Sequence, residues 1–281
     1  MKPDDFDYLA RLLRRRSGIV LGQPRPAHIE NRLAPVMRRF GFKDVGALIA
    51  ELRHGRDALA RAVTEAMTTN ESSFFRDRAA FDLFRDRVLP AIVERRAGVK
   101  RLRLWCAACA AGQEAYSIAM ILDDLKLPQK GWSVDLIATD INSEMIARAE
   151  QGLYTHFEVQ RGLPIRRLVD HFLQEGQSWR ISEPLRRMVT FRTFNLLDSF
   201  GWLDDIDVVF CRNVLMYLEP KAKAGVLDKI GEVLTPDGYL MLGPVETPTG
   251  LSAAFAAVAD APGLYSPRVD EGPALARVAR R

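Results

Sequence analysis

The stretch Arg101–Glu114 (RLRLWCAACAAGQE) constrains the fold most, because an apolar run passes directly into a segment of very small residues. The run Leu102–Trp105 is typical of a buried strand, and the amphipathic pattern after Gly112 predicts a helix. A second apolar run, Val134–Thr139, predicts another strand, which ends on Asp140. This is the layout of a mononucleotide-binding half-fold, in which small residues let the backbone approach a cofactor and the acid meets ribose hydroxyls.

The loop lacks the glycine pattern of a dinucleotide site. No G-x-G-x-x-G can be written over Cys106–Gly112, and one glycine among several alanines does not form a pyrophosphate cradle. The loop suits an adenosine cofactor without phosphates, of which S-adenosylmethionine (AdoMet) is the obvious one. An ordinary strand–turn–helix packing unit is the alternative that this stretch alone leaves open.

Length and composition are those of a soluble globular protein. A chain of 281 residues predicts two domains, and 48% apolar with 27% charged residues is an ordinary balance. The acidic, amphipathic N-terminus is not a signal peptide, and no apolar run is long enough to span a membrane. The odd number of cysteines, three, favours a reducing compartment over a disulfide scaffold. We therefore expect a cytoplasmic monomer without direct membrane insertion.

Residues 1–68 have the periodicity of a small all-α domain. The domain has no catalytic constellation of its own, so we expect it to bind a partner. Pro35 is expected to kink the second helix or shift its start. The predicted helices run from a cap at Asp4 or Asp5 to Gly18, over His28–Phe40, from a cap at Asp44 to Gly55, and over Asp57–Met67.

Residues 69–98 are predicted to form a linker and a connecting helix. Six consecutive polar residues within Met67–Asp77 break the helical pattern, yet Phe74 and Phe75 are too apolar for a free linker. We expect these two rings to clamp the linker against the second domain. The pattern over Arg78–Arg96 then predicts one long helix, which Pro90 can bend.

Residues 99–267 are predicted to form an α/β domain with a parallel sheet, followed by a disordered tail at 268–281. A small antiparallel β-subdomain is expected to be inserted at about 153–190, because a helix and a hairpin interrupt the alternation of strands and helices. The insertion's helix is predicted at Pro164–Leu173, and its hairpin strands at Ser178–Ser182 and Leu185–Thr193. The later sheet strands are predicted at Phe194–Asp198, Ile206–Cys211 and Tyr239–Gly243, with a turn at 236–238 and an antiparallel edge at Leu264 and Tyr265.

Four predicted strands end in small or polar residues, at Cys106–Gly112, Asp140, Asn195 and Cys211–Tyr217. Because parallel strands share one carboxyl edge, these residues predict a single site there.

Each side chain of this site has a plausible role and, in two cases, an alternative. Asp140 can accept both ribose hydroxyls or cap the following helix. Glu114 can contact the cofactor, or its negative charge can stabilise the N-terminus of the helix in which it lies. Asn195 can offer its amide to adenine, Leu196 adds apolar contact, and Arg212 with Asn213 is poorly explained by packing.

Cys106-x-x-Cys109 has the spacing of half a zinc site. A structural zinc needs four ligands, and only Cys211 and four scattered histidines remain, so small-residue packing explains the pair better and no metal is expected. A weaker hypothesis is that Cys106 and Cys211, ending neighbouring strands, form an oxidation-sensitive thiol pair.

The chain resembles the CheR family, the chemotaxis-receptor glutamate O-methyltransferases that use AdoMet. The matching stretches are Met67–Asp77 (MTTNESSFFRD), Trp105–Ile118 (WCAACAAGQEAYSI), Ala138–Asn142 (ATDIN), Phe210–Tyr217 (FCRNVLMY) and, as a short addition, Asn195–Leu197. Of these, Met67–Asp77 and Phe210–Tyr217 are the most specific to the family. The resemblance implies a helical N-terminal domain and a Rossmann-like methyltransferase domain with a small β-subdomain, in agreement with the order of elements predicted above.

The resemblance also implies the site residues and the substrate. Arg76 and Tyr217 would lie nearest the transferred methyl group, and the acceptor would be a glutamate on the helical cytoplasmic region of a chemoreceptor. The implied AdoMet-binding residues are Asn70, Ser72, Arg76, Glu114, Asp140, Asn195, Leu196, Arg212 and Asn213.

The sequence departs from the family pattern at two places, and the resemblance implies no cofactor contact by the altered residues. A glycine often found early in the loop is Ala108, and a frequent Glu-Glu-Pro is Gln113-Glu114-Ala115. Some members also dock on a receptor tail peptide through the hairpin of the β-subdomain. Because Leu173–Ser182 is short and lacks a glycine-rich loop, the sequence does not support tail docking here.

The arginine-bearing helix 28–40 is the expected contact for the glutamate-rich receptor, with a solvated helical face as the alternative. Three other functions stay open. The isoelectric point of about 9.0 suggests a nucleic-acid methyltransferase, although no exposed aromatic platform or amide-rich motif supports one, and we expect no nucleic-acid partner. An AdoMet sensor without transferase activity and a relative serving another signalling system are the remaining two.

Overall fold

The N-terminal helices close around an apolar core of their own, as their 3.6-residue periodicity predicts. Leu9 and Leu13 pack with Leu33 and Leu48, and all four are fully buried. The computed structural model describes residues 1–22 and 25–268, so the predicted tail lies outside the described residues apart from Arg268. The four helices are α1 (Pro3–Ser17), α2 (Pro26–Phe40), α3 (Val45–Arg53) and α4 (Asp57–Ala66).

The predicted helix ends are partly confirmed. Gly18 ends α1 in the left-handed conformation, and the Asp44 carboxylate caps α3 by accepting from the Ala47 N–H at 2.8 Å. The expected cap at Asp4 or Asp5 is wrong, because α1 already begins at Pro3 and both acids lie in its first turn. Proline fits that position because its missing N–H would have no helical partner there.

The connecting segment is not one uniform helix. A π-helical turn, Phe84–Val88, separates α5 (Arg78–Leu83) from α6 (Leu89–Arg95). Pro90 lies in the first turn of α6, and its ring would clash with the carbonyl four residues earlier in a regular helix. The wider turn accommodates that clash.

The second domain is built on a seven-stranded sheet in the order β6-β2-β1-β7-β8-β10-β9. The first five strands in this order are parallel, and the last two pairings are antiparallel. The predicted fold class is therefore confirmed. The sheet strands are β1 (Arg101–Ala107), β2 (Ser133–Asp140), β6 (Val189–Thr193), β7 (Ile206–Cys211), β8 (Leu234–Leu242), β9 (Phe255–Ala257) and β10 (Leu264–Pro267).

The inserted subdomain is a second, three-stranded antiparallel sheet in the order β3-β5-β4. Its hairpin pairs β4 (Phe172–Glu175) with β5 (Ser178–Ile181), and β3 (Leu153–Thr155) adds to β5. The predicted pairing of Ser178–Ser182 with Leu185–Thr193 is wrong. The latter residues divide into the end of a helix and strand β6, which pairs with β2 in the main sheet.

Helices cover the two sheets. One face of the main sheet packs against the linker phenylalanines, the connecting helices and the subdomain, and the opposite face packs largely under the last helix. The helices are α7 (Gln113–Asp124), α8 (Ser143–Gln151), α9 (His156–Gln160), α10 (Ile165–His171), α11 (Glu183–Met188) and α12 (Pro220–Val233).

Four further expectations are corrected. The helix α7 is not amphipathic, because its first ten residues are all buried between the sheet and its cover. Residues 194–198 form a loop after β6 instead of a strand, and 236–238 belong to β8 instead of a free turn. The antiparallel edge strand is β9, which lies outside the predicted β10.

Within the residues that the structure describes, no helix has both the length and the apolar character needed to cross a membrane.

Candidate functional site

A cleft lies between the linker and the carboxyl edge of the parallel strands. It contains ≈ 1010 Å³ of empty space, including the solvent at its mouth. All ten residues singled out from the sequence line it. The linker contributes Asn70, Ser72 and Arg76, α7 contributes Glu114, β2 ends in Asp140, the loop after β6 contributes Asn195 and Leu196, and the loop after β7 contributes Arg212, Asn213 and Tyr217.

Asp140 is a buried carboxylate that keeps acceptor capacity toward the cleft. Its two oxygens each accept one backbone N–H at 2.8 Å, from Asn142 and from Ala110. Burial raises the pKa of Asp140, and these N–H groups oppose that rise only in part. Because a carboxylate offers about four lone-pair sites, a second acceptor site remains on each oxygen. Neighbouring hydroxyls of a ribose are the kind of donor pair that these sites suit.

Arg212 joins the two sides of the cleft. Its side chain is fully buried and forms ion pairs with Glu114 at 2.5 Å and with Asp77 at 2.9 Å. It also donates to the Arg76 carbonyl at 3.0 Å. Glu114 lies in the first turn of α7, so the electrostatic alternative stays open beside the ion pair with Arg212. The Arg212 Nε atom is buried and has no hydrogen-bond partner among the described residues.

The Arg76 guanidinium is half-buried and is held by its own linker. Its Nη1 donates to the Glu71 carbonyl at 2.9 Å. The Glu71 carboxylate in turn pairs with Arg161 from the inserted subdomain, and this contact holds the pKa of Glu71 below its ordinary value. The linker cation is thus supported from the subdomain side.

Asn195 serves the contact between the two domains. Its Nδ2 donates to the Arg16 carbonyl of α1 at 2.6 Å, and its Oδ1 accepts from the Leu197 N–H at 3.0 Å. One amide hydrogen and one lone pair remain for a ligand in the cleft. No local sequence pattern indicates the bond to α1, because the partner lies 179 residues away.

The small-residue loop has an unusual backbone. Ala108 and Ala110 both have positive φ, 59° and 48°, although neither is glycine. The loop is tied to the neighbouring strand where the Cys109 N–H donates to the Thr139 carbonyl at 2.9 Å. The small side chains of the loop leave its backbone exposed to the cleft. Its left-handed conformation is energetically unfavourable for alanine.

The cysteines do not form the proposed pair. Cys106 is in register with Phe210, so Cys211 lies one residue further and on the opposite face of the sheet. The two thiols accordingly belong to different cores. Burial raises the pKa of all three thiols. Across residues 1–22 and 25–268, no group of three His, Cys, Asp or Glu side chains is placed to hold a metal ion.

Sequence reasoning missed the residues that α1 and the loop after β8 bring to the site. Ser17 and Ile19 line the cleft, and Ile19 forms a β-bridge with Leu218. The Glu246 carboxylate binds the backbone of the loop after β7. For α1 the local signal was Gly18, which ends the helix and lets the chain turn toward the loop after β7.

A groove continues from the cleft toward the N-terminal domain, and Ile19, Met67, Thr69 and Tyr217 line both. Its other wall carries Arg25, His28 and Arg32 on successive turns at the start of α2. Arg38 and Arg39, near the end of the same predicted helix 28–40, are exposed and do not line the groove.

The donors and acceptors around the cleft match a zwitterionic adenosine ligand. Asp140 offers acceptors for a ribose, Leu196 an apolar contact, and Glu114 with Arg212 both charge signs for an amino-acid group. No N–H cradle with neighbouring lysines, as a polyphosphate would need, lines the cleft among the described residues.

Comparison with known proteins gives the same result over nearly the whole chain. The family profile described as "CheR methyltransferase, all-alpha domain" matches residues 4–68, and that described as "CheR methyltransferase, SAM binding domain" matches residues 70–261.

Three similar relatives all carry names of chemotaxis methyltransferases. Chemotaxis protein methyltransferase 1 of Pseudomonas aeruginosa is 38% identical and Chemotaxis protein methyltransferase Cher2 of Pseudomonas putida is 37% identical, each over 92% of this chain and 96% of the relative. Chemotaxis protein methyltransferase of Vibrio parahaemolyticus is 36% identical over 92% of this chain and 95% of the relative. The cleft geometry, the two profile matches and these relatives agree: the chain belongs to the CheR methyltransferase family and binds AdoMet.

Proposed function

We propose that this protein transfers the methyl group of AdoMet to glutamate side-chain carboxylates of chemoreceptors, forming methyl esters in the cytoplasm as part of chemotaxis. Family membership and the names of the relatives support the chemotaxis assignment. The observation that carries the choice of acceptor is the groove, which joins the cleft at Tyr217 and is lined by cationic or protonatable side chains.

The proposed cofactor contacts divide between the two sides of the cleft. Asp140 would hold the ribose, and Asn195 and Leu196 would contact adenine. Glu114 and Arg212 would hold the charged amino-acid end, with Asn213 beside them. Asn70, Ser72 and Arg76 would close over the ligand from the linker.

The chemistry needs no general base, because a glutamate carboxylate has an ordinary pKa of about 4.3 and is ionised at neutral pH. Bound AdoMet supplies a methyl group on a positively charged sulfur. The described residues that line the cleft include no histidine, and Cys109 is a buried thiol with a raised pKa. The protein's contribution is then alignment, which can lower a barrier by about 7–11 kcal/mol.

Arg76 and Tyr217 are the side chains that we assign to the acceptor. Both line the cleft, and Tyr217 also lines the groove through which the acceptor would enter. Arg76 would attract the anionic carboxylate, and the Tyr217 hydroxyl would orient it. Arg76→Ala should raise KM for the receptor, whereas Tyr217→Phe should mainly lower kcat; full activity in either variant would remove that residue from the proposal.

The receptor is expected to meet the start of α2. Arg25, His28 and Arg32 face the groove, although Arg32 also donates to the Met67 and Thr68 carbonyls at 2.9 Å. Rim charges of this kind mainly accelerate encounter, and salt screens them because the Debye length falls to about 3 Å at 1 M. Methylation of receptor membranes should therefore slow with added salt, and a salt-independent rate would argue against the groove.

The decisive experiment combines methyl-labelled AdoMet with receptor-containing membranes, followed by alkali. Carboxyl methyl esters release volatile labelled methanol, whereas N-methyl and base-methyl groups do not. We expect methanol release that depends on the receptor. Label in nucleic acid, or AdoMet binding without any labelled product, would contradict the proposal.

A further inference from the structure

Glu246 has the most unusual environment of any carboxylate near the cleft. Its Oε2 accepts the N–H groups of Asn213 at 2.7 Å and Gly243 at 2.8 Å. Its Oε1 accepts those of Val214 at 2.9 Å and Met216 at 3.2 Å. The residue is 7% exposed. No Lys or Arg of the described residues pairs with it within 4.0 Å, so four backbone dipoles take the place of a counter-ion.

Three of these four N–H groups belong to the loop after β7, which carries Arg212, Asn213 and Tyr217. The loop is not part of a strand and so has no ladder of backbone hydrogen bonds. Asn213 adopts the left-handed conformation, with φ 58°, and a short 3-10 turn follows at Leu215–Tyr217. The N–H groups of such a segment have no partner in a strand ladder, so their hydrogen bonds come from elsewhere. Glu246 supplies them from a tight turn that directly follows β8, in which its own N–H donates to the Gly243 carbonyl at 3.1 Å.

Gly243 keeps room for this arrangement. A Cβ atom at position 243 would lie 2.7 Å from Glu246 Oε2 and 2.9 Å from Asn213 Nδ2. Both distances are shorter than real carbon contacts allow, so a side chain there would push the carboxylate and the loop apart.

We infer that Glu246 is a positioning residue for the AdoMet site: it fixes the backbone of residues 213–216 and thereby the place of Arg212, Asn213 and Tyr217 in the cleft. The assignment of those three residues rests on the proposed function. The carboxylate is suited to this task because it accepts only, and each of its two oxygens receives two donors.

The test uses Glu246→Gln, which keeps the size of the side chain and changes its chemistry. An amide has one oxygen, so its NH2 group must face two of the four N–H donors. These are Asn213 and Gly243 in one orientation and Val214 and Met216 in the other, so one or two of the three loop anchors are lost. Gly243→Ala disturbs the same contact while keeping the charge. The matched controls are Glu232→Gln, an exposed glutamate on α12, and Gly225→Ala, where a Cβ meets nothing within 4 Å.

Two readouts are needed, and neither requires methyl transfer. The first is hydrogen exchange of the 213–216 amides in the ligand-free protein, compared with those of β1. The second is calorimetric binding of S-adenosylhomocysteine, with the folded fraction checked by thermal unfolding. We expect loop amides to exchange about 10- to 100-fold faster in both variants, β1 amides to be unaffected, and affinity to fall about 10-fold. The controls should match the wild type in the exchange of the 213–216 amides and in affinity.

Unchanged loop exchange in either folded variant would overturn the inference, as would wild-type affinity despite a loosened loop. Failure of both variants to fold would also overturn it, because Glu246 would then serve global stability. A negative result in the methanol assay leaves these readouts untouched, so the two proposals can fail separately.

Discussion

The two walls of the cleft are held in different ways. The sheet wall consists of residues that directly follow β1, β2, β6 and β7, whose directions are fixed by the ladder of the parallel sheet. The linker wall, Thr68–Asp77, has no regular secondary structure. Its position comes from contacts that are distant in sequence, such as the Phe75 N–H donating to the Ser117 hydroxyl at 2.9 Å across 42 residues.

The linker wall also carries backbone strain. Phe75 and Asp77 both have positive φ, 50° and 57°. Phe74 and Phe75 are buried in the core of the α/β domain, as expected from the sequence, and this burial holds the strained segment in place. The linker wall is therefore positioned by tertiary contacts, and substitutions far from the cleft should displace it.

The largest effect is expected where the two walls join. Arg212→Ala would leave the Glu114 and Asp77 carboxylates without their buried partner, and breaking such a pair from one side costs about 3–5 kcal/mol. We expect the free energy of unfolding in urea to fall by that amount and S-adenosylhomocysteine binding to be lost. The control is Arg166→Ala, whose side chain is 92% exposed beside Asp170 and should change nothing measurable. A loss below about 1 kcal/mol at Arg212 would show that the walls are held independently.

The second effect isolates the linker wall. A Cβ at Gly162 would overlap the Phe74 carbonyl oxygen, whereas Gly176, in the same subdomain and also at positive φ, faces open space. In both variants alanine at positive φ costs about 1–2 kcal/mol. The difference in their free energies of unfolding therefore measures the cost of displacing the linker. We expect Gly162→Ala to be less stable than Gly176→Ala by about 1–3 kcal/mol and to have a higher KM for the receptor through a shifted Arg76. Equal stability and KM in the two variants would mean that the subdomain does not brace the linker.

The same division between walls separates what the sequence could and could not predict. Apolar runs located β1, β2 and β7, and the strand-end rule with the family resemblance named ten residues that share one cleft. The strand β6 was misassigned, because a short run such as Leu185–Thr193 fits a hairpin as well as a distant parallel partner. Periodicity reports local burial and cannot report which strand pairs with which.

Side-chain partners were still less predictable. Nothing local links Glu246 to Asn213, or Asn195 to α1, because each bond depends on how separate elements meet. The Gly-Pro turn directly after β8 was the available sign that a side chain would return toward the sheet edge.

The third effect concerns the sheet wall and is a pH dependence. Burial raises the pKa of Asp140 above the ordinary value of about 3.9, so the folded, ligand-free protein holds this proton more tightly than the unfolded chain. Its contribution to stability is fully present below the ordinary pKa and is lost as pH rises through the raised one. S-adenosylhomocysteine needs the ionised Asp140 carboxylate, so its affinity should rise with pH while this contribution to stability falls. Below the raised pKa, the affinity should fall by about tenfold for each pH unit of acidification.

Calorimetry between about pH 4 and pH 7 would measure that affinity, with the unfolding midpoint recorded at each pH. Asp140→Asn should bind weakly and without this pH dependence. A wild-type affinity that stays constant down to the ordinary aspartate pKa would mean that the ligand does not use this carboxylate.

The smallest effect tests Ala108, one of the places where the sheet wall is strained like the linker. Ala108 has φ 59°, a region that costs an L-residue about 1–2 kcal/mol, whereas glycine costs only about 0.5–1 kcal/mol more in chain entropy. Ala108→Gly should therefore raise the free energy of unfolding by about 0.5–1 kcal/mol and leave S-adenosylhomocysteine affinity within about twofold. Ala62→Gly, inside α4, should instead lower stability by about 1 kcal/mol, which provides a control of opposite sign. If both substitutions destabilise equally, the loop is not strained, and the sheet wall relies on its ladder alone.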